Sequence, residues 1–318
     1  MDINMNNLPN SQLNKDHDDE INLQELFGAL YQGKWVILSF TAFISIIGVI
    51  YSLSLPNLYQ AQASLAPVDS KSGISGSLGG LGGIAGLAGV SIPRIGDEGN
   101  SLKALKKLKS LSFFEFNVMP YIFLPDLMAL DYWDYQSNTL VYDESIYKKD
   151  TNAWVRGYSY PKKQIPTAQE SYKVFLKHFN IIEDNKTGFL VLNVKHQSPY
   201  IAKQWAELLI NQVNVFYRKK DKSEAEKAVG YLNQQITVTS LSEVKEAIAE
   251  LLQEETKRLT LIEANESYVF EYIDPPALME RKSEPSRAII CIIFSMFGAM
   301  LSTLFVLIRH YAFSKKIS

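Results

Sequence analysis

Two stretches of this 318-residue chain are both uncharged and strongly apolar, and they lie near its two ends. Trp35 to Tyr59 holds no Asp, Glu, Lys or Arg, and neither does Ala288 to Ile308, which Arg287 and Arg309 bracket. A helix rises 1.5 Å per residue, so a segment of this length spans roughly 30 Å, the thickness of a bilayer's hydrocarbon core. The sequence therefore predicts transmembrane helices over 35–55 and 288–308. A cleaved export signal is the rival for the first. It fits poorly, because the preceding residues are long and acidic (Asp16, Asp18, Asp19, Glu20, Glu25) where a signal needs a short basic start.

Positive charge near a span sets its orientation. Lys15 and Lys34 precede the first span, and no Lys or Arg follows it until Lys71. The expected arrangement is a cytoplasmic tail over 1–34, an external domain over 56–287 and a second cytoplasmic tail over 309–318. With 32 basic and 34 acidic residues the chain has no bulk attraction for nucleic acid. Its only cysteine, Cys291, falls inside the second apolar stretch, which leaves no intrachain disulfide or cysteine metal site.

Between the spans the pattern alternates strand and helix. Tyr59 to Ala66 alternates polar with small or apolar residues and reads as a strand. Gly73 to Gly89 is a Gly-rich low-complexity stretch, read as a loop. Ser101 to Phe116 reads as one helix with Leu102, Leu105 and Leu108 on a face and Lys103, Lys106, Lys107 and Lys109 around it. Residues 121–160 are aromatic-rich. Phe179–Glu183 and Phe189–His196 flank a turn at Asp184–Gly188 and form a predicted hairpin.

Ser198-Pro199 supplies an N-cap and a first-turn proline, and helical pattern then runs to about Gln235, a rod of roughly 55 Å. Ser240 to Glu243 has capping-box spacing for a fresh helix. Its apolar stripe is Leu241, Val244, Ile248, Leu251, Leu252, Leu259 and Ile262, resembling a short coiled-coil seam. A helical hairpin and a bent rod packing on sister chains both satisfy that pattern. Tyr268 to Ile273 returns as a strand, and Asp274-Pro275-Pro276 with Pro285 leads stiffly into the second span. The predicted fold class is α+β: a membrane-proximal mixed α/β base with a long helical extension over about 199–265, flanked by two transmembrane helices.

The chain carries no phosphate-binding Gly-rich motif ending in Gly-Lys-Ser/Thr. The histidines at 17, 178, 196 and 310 have no metal-ligand spacing, and Gly-x-Ser-x-Gly is absent. No catalytic, cofactor-binding or metal residue is expected. Small residues are the better-motivated feature: Ala42, Ser45, Gly48 and Ser52 in the first span, and Ser295, Gly298, Ala299 and Ser302 in the second. Such faces let helix backbones approach closely and support self-assembly in the membrane. Pro275, Pro276 and Pro285 form a candidate segment coupling domain to membrane.

In order along the chain, a further set of short segments carries a resemblance. Asn22-Leu23 and Leu26 precede the first span, and Trp133-Asp134, Asn138-Thr139-Leu140 and Tyr142-Asp143 follow in the middle. Then come Lys186-Thr187-Gly188, His196-Gln197-Ser198-Pro199, Ala225-Glu226, Tyr231-Leu232 and Glu254-Glu255-Thr256-Lys257. Tyr268-Val269-Phe270, Asp274-Pro275-Pro276, Pro285 and Arg309 close the set. In this order between two terminal spans they resemble the Wzz-type chain-length determinants of bacterial O-antigen, polysaccharide co-polymerases without a kinase domain. The resemblance implies a homo-oligomer in the inner membrane that sets how far a separate O-antigen polymerase extends a lipid-linked polysaccharide, with no catalysis and no cofactor of its own. A capsule or exopolysaccharide export component working with a separate kinase would share this topology.

Overall fold

The computed structural model describes residues 23–68, 99–184 and 187–314. The Gly73–Gly89 stretch, Asp16, Asp18, Asp19 and Glu20 of the N-terminal tail, and Asn185 and Lys186 of the hairpin turn lie outside them. The chain divides into two compact units, 1–55 with 286–318, and 56–285.

The first unit is helical. Helix α1 (Leu23–Gln32) is followed after Gly33 by α2 (Lys34–Ser54). The last helix of the chain, Arg287–Ser314, packs along α2.

The second unit is built on β1 (Tyr59–Pro67), which alternates as the sequence requires: Ala61, Ala63 and Leu65 are buried on one face. Helix α3 (Gly99–Leu108) ends earlier than the sequence pattern suggests. Ser110 takes an extended backbone (φ −100°, ψ 144°), and its Oγ accepts from the Phe113 N–H at 3.2 Å, so a new turn starts at Leu111. The backbone then widens into a π turn over Phe114–Val118 and tightens into a 3-10 turn over Met119–Tyr121. The physical reason is burial. Phe113 and Phe114 are both fully buried, and adjacent residues on one straight helix do not share a face. Of the expected Leu face, Leu108 is buried and Leu102 is exposed.

After helix α4 (Leu124–Met128) come two small hairpins, β2 (Leu130–Asp134) with β3 (Thr139–Tyr142), and β4 (Tyr147–Lys148) with β5 (Ala153–Trp154). Helix α5 (Ala168–His178) is capped by Thr167, whose Oγ1 accepts from the Glu170 N–H. Strands β6 (Phe179–Glu183) and β7 (Leu190–His196) then form the expected hairpin.

Helix α6 (Pro199–Val238) runs 40 residues, roughly 60 Å. Its buried Ala202, Trp205, Ala206, Leu209 and Val213 recur at three- and four-residue steps and cover the sheet. Ser198 sits at the cap position, but its side chain does not cap; its N–H instead donates to His196 Nδ1 at 3.0 Å. Helix α7 (Ser242–Ala264) starts without the expected capping box, with Leu241 at the cap position and no side-chain bond there. It runs back along α6, tied by a Lys222–Glu263 ion pair, so the two form a helical hairpin. Along the apolar stripe, Ile262 is buried, Ile248, Leu252 and Leu259 are half-buried, and Leu241, Val244 and Leu251 are exposed.

Strand β8 (Phe270–Asp274) closes an antiparallel sheet of order β6-β7-β1-β8, ahead of the final helix α8 (Arg287–Ser314). The fold is mixed α/β with long helices and two helices long and apolar enough to cross a membrane, Lys34–Ser54 and Arg287–His310.

Candidate functional site: the helix pair and the proline segment

Within the first unit α2 and α8 pack antiparallel, through the smallest side chains each offers. A Cβ added at Gly48 would lie 2.6 Å from Phe294 Cβ, and one at Gly298 would lie 3.1 Å from Ile44 Cβ. One at Gly33, at the junction of α1 and α2, would run into the Val306 side chain. Hydroxyls join the same seam. Ser45 Oγ lies 2.7 Å from Ser295 Oγ, and Thr41 Oγ1 lies 3.3 Å from Ser302 Oγ. Ser45 spends its own proton on the Thr41 carbonyl and Ser302 spends its on the Ala299 carbonyl, so Ser295 and Thr41 are the donors between the helices.

The structure thus brings together Ser45, Gly48, Ser295, Gly298 and Ser302 from the expected small-residue faces, and they meet within one chain. Ser52 is buried, Ala299 is half-buried, and Ala42 faces outward. Thr41, Gly33, Phe294 and Val306 belong to the seam but carried no signal in the small-residue pattern, which registers one helix at a time. The outward faces are apolar: Leu38, Ile46, Ile50, Ile289, Ile293 and Met296 are all well over half exposed. Such a surface is costly in water and suits lipid.

In the second unit, the proline segment is held against the start of β1. Leu58 N–H donates to the Glu284 carbonyl at 2.9 Å, and Ser283 N–H donates to the Leu58 carbonyl at 2.8 Å. Lys282 Nζ donates to Asn57 Oδ1 at 3.1 Å, and Lys195 Nζ pairs with Glu284 Oε1 at 2.6 Å. Pro276 is buried, Pro285 is half-buried and Pro275 is exposed. The chain leaving α2 and the chain approaching α8 are therefore clasped to each other, and sequence spacing gave no sign of the four polar residues that do it.

A second group, invisible to motif search, gathers at the end of β7. His178 and His196 both pack on Trp205, with ring centroids 6.0 and 4.9 Å away. His196 Nδ1 accepts from Ser198, so Nε2 carries the proton and donates to the Asp126 carbonyl at 3.1 Å. Tyr142 Oη donates to Asp126 Oδ1 at 2.6 Å. Burial, only partly opposed by these backbone bonds, pushes His196 down to about 4, and it lowers His178 as well.

The unfolded chain takes up protons near pH 6.5 that the folded one refuses, so stability is full above that pH and falls as pH drops toward about 4. His196 alone accounts for a loss of up to about 3 kcal/mol. Asp126, whose pKa burial raises, retains its proton longer in the fold and offsets part of this loss at the acid end. The unfolding midpoint should fall steadily from pH 7 to pH 5, with a flatter slope in His196→Gln; identical slopes would remove His196 from the account.

Among the described residues no group of His, Cys, Asp and Glu is arranged to hold a metal ion. No curated protein matches this chain in sequence. In fold it is similar to a full-length bacterial polysaccharide co-polymerase, at 14 % identity and a TM-score of 0.39, covering 93 % of this chain and 100 % of that one. It is also similar to a fragment of WzzB, a polysaccharide co-polymerase from Salmonella Typhimurium, at 13 % identity and a TM-score of 0.30, covering 72 % of this chain and 100 % of the fragment. Residues 19–106, which contain α1, α2 and β1, match the family model described as Wzz, chain length determinant protein, and that match bears out the resemblance of this chain to the Wzz-type chain-length determinants.

Proposed function

We propose that this chain is a non-enzymatic regulator of the length of the O-antigen polysaccharide, working in the bacterial inner membrane beside a separate polymerase that extends the lipid-linked polymer. The observation that carries this reading is the chain-length-determinant match over residues 19–106, the stretch that includes the first membrane helix and the strand leaving it. In this reading 35–55 and 288–308 span the bilayer, 56–287 stands in the periplasm, and 1–34 and 309–318 are cytoplasmic.

The active form is a homo-oligomer. The exposed Val238, Leu241, Val244 and Leu251 around the α6–α7 connection support this, because a two-helix hairpin leaves apolar area that a neighbouring copy would cover. Oligomer geometry then sets how long the growing polymer and its polymerase stay together.

The clasp between Leu58 and the 282–285 segment would carry domain position to the membrane helices. Replacing Pro275, Pro276 and Pro285 together by alanine should shift the modal polymer length at normal protein level. An unchanged distribution would remove the proline segment from the mechanism.

The test of the assignment is to size O-antigen and capsule side by side in a deletion strain and its complemented partner. Loss of a preferred O-antigen length, restored by complementation, supports the reading. A change confined to capsule or exopolysaccharide would move the assignment to that polymer.

A further inference from the structure

One face of the four-stranded sheet packs on α6; the opposite face carries side chains that strands seldom choose. The register sets Asn180 of β6, Asn193 of β7 and Gln62 of β1 side by side, in one row across three strands. Gln60 stands in the next row, and its Nε2 donates to Asn193 Oδ1 at 2.8 Å. Asn180 and Gln62 are exposed, and Asn193 and Gln60 are half-buried.

Contact with water alone does not account for this row. Asparagine is disfavoured in strands, and threonine would meet solvent as well while suiting the pleat better. Two asparagines directly opposed across β6 and β7 break the local rule twice at one place, which is where function is expected. The row is also neutral. Lys195, opposite Gln60, is already paired with Glu284 Oε1 at 2.6 Å. Ile182 and Val191 form the neighbouring pair, two residues along the strands and about 7 Å from the amides.

We propose that this sheet face binds the polysaccharide itself, a polyhydroxylated chain lying across β6, β7 and β1 with its hydroxyls on the amides and its C–H faces on Ile182 and Val191. An amide presents donor and acceptor side by side, as neighbouring sugar hydroxyls do. The Gln60–Asn193 bond orients two of the amides in advance, leaving Asn193 its Nδ2 donors and Gln60 its Oε1 acceptor. A polymer needs no enclosing pocket, because modest contacts repeat along its length.

Other occupants fit less well. Anionic lipid or nucleic acid finds no cation in the row. A second copy pressed dry against it would bury amides that must each find a partner. Addition of a further strand is opposed at the β6 edge, where Lys109 Nζ donates to the Ile181 carbonyl at 3.3 Å.

This inference rests on the polysaccharide reading proposed above. The test uses the full chain in detergent and, as probe, O-antigen polysaccharide cut by mild acid from the strain's own lipopolysaccharide. The unaltered chain should bind it, and Asn180→Thr with Asn193→Thr should weaken binding about tenfold or more at an unchanged unfolding midpoint. Gln62→Thr, at an exposed position, should weaken binding as well, and it decides the matter if the double variant loses stability. Failure of the unaltered chain to bind, or equal binding by the variants, overturns the site and leaves the length assignment to the deletion strain. Binding that the variants lose, in a chain whose deletion leaves the preferred O-antigen length unchanged, supports the site and overturns the length reading.

Discussion

Asn214→Leu should lower the unfolding free energy of the second unit by about 3 kcal/mol and release β8 from the long helix. The Asn214 amide is buried on α6 and satisfies three backbone groups at once. Its Oδ1 accepts from the Val269 N–H at 2.9 Å and the Phe270 N–H at 3.0 Å, and its Nδ2 donates to the Phe270 carbonyl at 2.9 Å. Leucine has similar bulk but no polar atoms, so it leaves those groups without their partner in a site where Val269 and Phe270 are themselves buried. Each such loss costs about 1–3 kcal/mol, with relaxation recovering part of it. Urea unfolding of the purified chain in detergent measures the effect, and hydrogen exchange at 268–274 locates it. An unchanged midpoint would show that β8 is held by its pairing with β1 alone.

The second large effect concerns the helix pair. Gly48→Leu places a branched side chain where even a Cβ would be 2.6 Å from Phe294 Cβ and Cγ. Those are the root of the Phe294 side chain and not its flexible end, so a rotamer change cannot clear the space. The helices must separate, and the Ser45–Ser295 hydrogen bond parts with them. In a Cys291→Ser background, cysteines at Thr41 and Ser302 should cross-link readily when Gly48 is present and several-fold less in Gly48→Leu. Equal cross-linking would mean the seam tolerates the bulk and that close approach at Gly48 is not what pairs the spans.

The two predictions draw on features that were unequally legible in the sequence. Period-two alternation at Tyr59–Ala66 and the small residues at Ser45, Gly48, Ser295 and Gly298 are properties of one segment, and they can be read one segment at a time. Ala42 is just as small, yet it faces outward, because a small-residue pattern does not fix the rotation of the helix. Asn214 looked like one polar residue in a long helix; its partners lie 55 and 56 positions away. His178 and His196 likewise share Trp205 only once α5, β7 and α6 are folded together.

Helix ends were the weakest part of the reading, for a local reason. Ser198 and Ser240 both stand where a capping hydroxyl would be expected, yet the His196 ring receives the Ser198 N–H, and α7 begins two residues after Ser240 with no side-chain cap. The break at Ser110 had the opposite character. A serine inside a Lys- and Leu-rich run looks like an ordinary helix surface until the need to bury both Phe113 and Phe114 forces the backbone to turn there.

The central claim is that this chain sets polymer length without making polymer. The most direct measurement is the total mass of O-antigen polysaccharide, taken with its size distribution, in a deletion strain and in the same strain complemented. The account predicts that total mass is retained in the deletion while the preferred length disappears, and that complementation restores the preferred length. Loss of the polymer itself, with mass falling as length falls, would contradict it and make the chain part of the synthetic machinery.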